Sequence, residues 1–109
     1  MALAVVASGT QTATVTTEHT LATSTTGKTY VLVVDTAAMV KGDYLELRLK
    51  TKVLSGGASG LAYYAAYANA QGELIKYSIP VPANIECVAT LKQTAGTSRS
   101  FPWSLLSID

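Results

Sequence analysis

The side chains able to do chemistry in this 109-residue chain are few, and their spacing limits what they could do. His19 is the only histidine, with Glu18 beside it in a threonine-rich stretch. Nucleophilic catalysis needs a serine, threonine or cysteine with a base in reach. On an extended strand adjacent residues point to opposite faces, so Glu18 and His19 form no ready dyad, and His19 reads as a surface residue. Acid–base or glycosidase chemistry needs two convergent carboxylates. Asp35, Asp43 and Glu73 fall at turns or strand ends, and Glu46 and Glu86 on outward faces, with no spacing that implies a shared site. Cys87 is the single cysteine, which excludes an internal disulfide; in "IECVATLKQ" it falls on the apolar side and reads as a small buried hydrophobe. Scattered carboxylates with one histidine match no zinc or calcium pattern, and neither GxxxxGK[ST] nor GxGxxG occurs. The sequence therefore predicts no enzyme, no cofactor and no metal.

Three features remain as candidates for contact with a partner. In "TLKQTAGTSRSFPWSLL" (90–106), a glycine among hydroxyl residues precedes Arg99 and an aromatic cluster. Gln93 to Gly96 fits a type I turn with a glycine bulge, which makes the segment a hairpin with Gln93 paired to Thr97. That register sets Leu91 opposite Arg99, Ala89 opposite Phe101, Cys87 opposite Trp103 and Ile85 opposite Leu105. Arg99 then lies near the tip, its stem over Leu91 and its head free for solvent or a neighbouring subunit.

In "YLELRLKTKV", Leu45, Leu47, Leu49 and Val53 share one face while Glu46, Arg48, Lys50 and Lys52 share the other. The charged face reads first as solvated and second as a protein contact. In "AYYAAYANAQGELIKYSI", Asn69 to Gly72 fits the same turn, pairing Tyr67 with Ile75, Ala65 with Tyr77 and Tyr63 with Ile79. Tyr64 then lies on the opposite face near Lys76. Such tyrosines suit packing against alanine better than sugar stacking, because glycan sites add convergent carboxylates and amides. The candidate interface residues are Tyr64, Arg99, Arg48, Lys50 and Lys52.

The elements that must position these residues are strands. "TYVLVVD" is a continuous apolar run of strand length, the pattern of a strand buried on both faces. Pro80 and Pro82 end a strand, "IECVATLKQ" alternates, and "RSFPWSLLSI" closes the chain. Turn signals about every ten residues, and no long helical period, predict an all-β fold: an antiparallel β-sandwich or jelly-roll-like barrel of about seven or eight strands. Residues 1–28, dominated by threonine, serine and alanine, read as an N-terminal arm or edge strand, and residues 29–109 as the sandwich domain. "MALAVVASG" lacks the basic start of a secretory leader, and no apolar run reaches the ~18 residues of a membrane span. Net charge is +1, which disfavours nucleic acid and anionic membrane as partners. Charged residues make up only 14% of the chain, against about a quarter usually, so much of the surface is expected to be covered by partners.

Roughly residues 30 to 106, through the runs "YLELRLKTKVL", "KYSIPVPA" and "LKQTAGTSRSFPW", resemble small β-rich virion structural proteins of tailed bacteriophages. The resemblance implies a capsid decoration or cement protein, or a neck or tail component, made in the host cytoplasm and located in the virion. It implies as partners further copies of the chain and the major capsid protein or another virion protein. A glycan-binding module is the alternative.

Overall fold

Alternating apolar and polar side chains can bury one face of a strand and wet the other, and two such sheets close on each other. The computed structural model, which describes residues 3–108, has this form. Among the described residues there are nine strands and no helix. They are β1 (Leu3–Thr12), β2 (Glu18–Ser24), β3 (Lys28–Asp35), β4 (Tyr44–Thr51), β5 (Gly60–Ala68), β6 (Ile75–Tyr77), β7 (Val81–Ala83), β8 (Cys87–Ala95) and β9 (Ser100–Ile108). The first sheet runs β1-β9-β3-β6, with β7 also on β3, and the second runs β2-β8-β4-β5. All pairs are antiparallel.

β6 and β7 lie end to end along one edge of β3, against Val33–Asp35 and Lys28–Tyr30 respectively. Between them the ladder is patched by Ser78, whose N–H donates to the Leu32 carbonyl at 2.8 Å while its Oγ accepts the Leu32 N–H at 2.9 Å. Pro80 follows and cannot donate. With β6 and β7 counted as one interrupted strand, the order is that of a jelly roll, two Greek keys folded into a sandwich.

The core fills mainly from four strands, with Val81 and Ala83 of β7 beside them. Tyr30, Leu32 and Val34 of β3, Leu45, Leu47 and Leu49 of β4, Cys87, Ala89 and Leu91 of β8, and Phe101 and Leu105 of β9 are buried. Each fully buried leucine or phenylalanine contributes about 1.5 to 3 kcal/mol relative to exposure. The hydroxyl of Tyr30 is not left orphaned: it donates to the Thr26 carbonyl and bonds Ser24 Oγ at 2.7 Å. Val53 departs from the leucine face of "YLELRLKTKV"; it lies beyond the end of β4 and is 89% exposed.

Both expected hairpins are corrected. β5 does not pair with β6 but with β4, setting Leu45 beside Tyr67, Leu47 beside Ala65 and Leu49 beside Tyr63. Residues 69–74 carry the chain to the other sheet. Asn69 has a left-handed φ of 65°; its N–H donates to the Asp43 carbonyl and its Oδ1 accepts the Gly42 N–H. Likewise β8 and β9 are in different sheets, so Leu91 and Arg99, Ala89 and Phe101, and Cys87 and Trp103 are not ladder partners. Small and large side chains do meet, but within the core between the sheets. A turn signature specifies that the chain reverses; it does not specify whether the returning strand hydrogen-bonds to its predecessor or stacks beneath it.

The threonine-rich segment forms β1 and β2, one at an edge of each sheet. β1 pairs with β9 and β2 with β8. Residues 1, 2 and 109, at the outer ends of the two expected segments, lie outside the described residues.

Candidate functional site

Positioning of side chains by the two sheets produces two unlike outer faces. On the second sheet, Glu46, Arg48 and Lys50 alternate with the buried leucines of β4 and so point outward. Arg48 pairs across the ladder with Tyr64 of β5, and its guanidinium carbon lies 5.0 Å from that ring's centroid. Glu46 binds both: Oε1 accepts from Arg48 Nη2 at 2.7 Å and Oε2 accepts from the Tyr64 hydroxyl at 3.0 Å. Burial by itself would raise the Glu46 pKa, but Arg48 and Tyr64 outweigh it and hold the carboxyl below its usual range. Lys50 reaches Glu18 of β2 at 2.9 Å. This face is charged and carries the ion pairs Arg48–Glu46 and Lys50–Glu18, while Arg48 Nη1 is buried without a hydrogen-bond partner.

Three of the five expected interface residues, Tyr64, Arg48 and Lys50, are therefore brought together. Lys52 falls just past the end of β4, half-buried. Arg99 lies elsewhere and faces inward: its Nε donates at 2.9 Å to Oδ2 of Asp43, a carboxylate with only 1% of its side chain exposed. Asp43 also accepts the N–H groups of Val40 at 3.0 Å and Thr97 at 3.3 Å. Burial would raise the Asp43 pKa; these donors and the guanidinium more than offset it and keep the pKa below the ordinary value. Gln93 completes the lock, its Nε2 donating to the carbonyls of Ala95 and Thr97 and its Oε1 accepting the Arg99 N–H.

Gly96 belongs to the same cluster. Its φ is +92°, and a Cβ there would stand 2.0 Å from Asp43 Oδ1 and 2.8 Å from Asp43 Cα. The glycine and arginine thus tie the β8–β9 connection to the β3–β4 connection. Alternation along the strands carried no sign of Asp43 as their anchor.

No reactive constellation forms among the described residues. His19 Nε2 accepts the Thr14 N–H at 2.9 Å, which uses that nitrogen as an acceptor. Cys87 is buried, and burial followed by nearby Glu86 pushes its pKa to about 11, leaving the thiol protonated and inert at neutral pH. No group of three His, Cys, Asp or Glu residues could hold a metal ion among the described residues. An open groove of about 510 Å³ runs beside Gly27, Lys28, Thr29, Pro82, Ala83, Asn84 and Ile108, and it gathers no set of convergent acids or bases.

The tyrosines are also dispersed. Tyr63 and Tyr67 pack partly against the core from the second sheet, burial and then the Tyr67 hydroxyl pushing the Tyr63 pKa to about 12. Lys76 lies 4.8 Å from the Tyr67 ring centroid, while Tyr77 points outward from the first sheet.

The outer face of the first sheet is nearly uncharged, apolar toward one end and hydroxyl-rich toward the other, where Thr10 and Thr12 of β1 pair with Pro102 and Ser100 of β9. Cross-strand partners share a face. Val31 and Val33 alternate with the buried Tyr30, Leu32 and Val34, so they face out. Leu106 of β9 pairs with Val31 on one side and Val5 of β1 on the other, forming one row. Ile108 pairs with Leu3 and Thr29 in the next row, and Thr29 with Pro82. On the other flank Ser104 pairs with Ser8 and Val33, and Val33 with Tyr77. Leu3, Val5, Ile75 and Tyr77 are 68%, 62%, 47% and 65% exposed. Among the described residues, Asp35 is the one charged side chain in outward phase on these strands, and its Oδ1 already accepts the Ala37 N–H at 2.9 Å.

The molecule is thus a jelly-roll β-sandwich with one charged outer face and one nearly uncharged, partly apolar outer face. Compared with known protein families, curated proteins and solved structures, the chain matches none of them.

Proposed function

We propose that the chain is a non-enzymatic structural protein that works through its surfaces, as a subunit of a tailed-phage virion and foremost as a capsid decoration or cement protein. A neck or tail component is the same reading at another location. The observation that carries it is the nearly uncharged, partly apolar outer face of the first sheet, set against a second face that carries charges of both signs. Contacts that stabilise a shell need area and complementarity and not reactive groups. Jelly rolls serve viral capsids and also lectins, so the fold is compatible with the reading and does not by itself select it. The glycan alternative has less support, because Tyr77 and the Tyr63, Tyr64 and Tyr67 group belong to different sheets.

Mass spectrometry of purified particles, together with co-sedimentation of the purified chain with expanded shells and with tails, tests the virion reading. The chain is expected in particles in many copies and bound to shells. Absence from particles, with no binding to either assembly, overturns it.

A further inference from the structure

We propose that the outer face of the first sheet is the seat of a second copy of this chain. The proposal rests on the assembly reading above but not on the virion location, so a chain that self-associates yet is absent from particles keeps one and loses the other.

The first argument is the composition of β3. An unbroken apolar run within a strand, here residues 30–34 of β3, is the mark of burial on both sides. Within one chain only Tyr30, Leu32 and Val34 are enclosed, while Val31 and Val33 remain half-buried on the outside. A second copy seated on this face would cover them.

Charge indicates which molecule. A foreign partner is commonly selected through complementary charges. This face offers only Asp35, which is engaged in its own turn. A nearly uncharged face of apolar and hydroxyl side chains is its own complement, as a symmetric contact between identical subunits requires. The second sheet's face, by contrast, carries charges of both signs and already engages Arg48 with Glu46 and Lys50 with Glu18 within the chain.

The dimensions also suit a subunit contact. Four strands about 4.8 Å apart and about 3.3 Å per residue present a face of roughly 19 by 30 Å. Side-chain relief and the rims bring this toward the roughly 800 Å² per partner of a standard interface.

β1 supplies a further reason. It is ten residues long, carries no charge and no proline, and leaves one edge unpaired. Free edges are ordinarily guarded by charges, prolines or bulges, and here only the shift between Val5 and Ala7 serves. A copy seated on Leu3 and Val5 also shields that edge.

Sedimentation velocity and light scattering of the purified chain, from micromolar to sub-millimolar concentration, provide the test. An oligomer is expected. Tyr77→Lys and Val5→Lys, at opposite rims of the face and both exposed, should each raise the dissociation constant at least about tenfold by placing an unpaired charge in an apolar contact. Val53→Lys, on the connection beyond β4, should leave it unchanged, and melting curves taken at concentrations where each variant is monomeric should match for all three. Hydrogen exchange of the unmutated chain should show protection of β1 and of β6–β7 that grows with concentration, a readout independent of any variant. A wild-type monomer at sub-millimolar concentration overturns the proposal. So does an oligomer that resists both substitutions, or one broken by Val5→Lys alone, which would indicate pairing of β1 edges instead of docking on the face.

Discussion

Arg99, a candidate for partner contact, also holds the buried Asp43 carboxylate within the chain. A buried carboxylate is tolerable only when its lone pairs are met, and Asp43 meets them with two backbone N–H groups and one guanidinium. Arg99→Ala removes the cation and leaves the carboxylate enclosed, so unfolding free energy should fall by about 2 to 3 kcal/mol. In a double-mutant cycle with Asp43→Asn in urea, the two losses should be strongly non-additive; additivity would show that the pair contributes nothing jointly. Gly96 and Gly42 give a second contrast. Both have positive φ, 92° and 96°, but only Gly96 is backed by atoms. Gly42→Ala should cost about 1 kcal/mol of backbone strain, whereas Gly96→Ala should cost about 3 kcal/mol or more, since Asp43 must also move. Equal denaturation midpoints for the two variants would refute this.

β9 is the element on which the sandwich closes, lying between β1 and β3 with Phe101, Leu105 and Ser107 buried. Phe101 is enclosed completely, and Trp103 only in part, packed on the core and against the Gly9 backbone, where a Cβ would stand 3.7 Å from the indole. The larger ring is therefore not the larger contributor. Phe101→Ala should cost about 3 to 5 kcal/mol and Trp103→Ala about 2 kcal/mol, read from chemical denaturation. A larger loss at Trp103 would mean that its ring is better covered in solution than in the single chain. Strand existence here was legible from period-2 alternation, because burial of one face leaves that imprint: Leu45, Leu47 and Leu49 enter the core as read. Strand partnership was not legible. β5–β6 and β8–β9 each carry a good turn between them, yet each connection crosses from sheet to sheet.

For the whole molecule, acid should weaken the fold. The pKa values of Asp43 and Glu46 are held below their ordinary values, so the folded state binds fewer protons than the unfolded chain below about pH 4 to 5. Their contribution is present at neutral pH and is lost as pH falls through about 4 and toward the lowered folded values. The urea midpoint should stay level from pH 8 to about 5 and then decline. Asp43→Asn should shallow that decline, and a midpoint unchanged down to pH 3 would contradict the assignment.

By itself, the sequence determined that this is an all-β protein and which residues alternate into its core, since periodicity is a local property that the chain carries wherever it folds. It also made catalysis an unpromising reading, because one histidine and one cysteine leave little to assemble. Tertiary structure alone decided which strands pair, that Arg99 turns inward to Asp43, and that the half-apolar outward residues of β1, β3, β6 and β9 gather on one face. Those outcomes depend on contacts between residues far apart in the chain, such as Val5 with Leu106 and Asp43 with Arg99, and no local pattern encodes which distant partner a side chain meets.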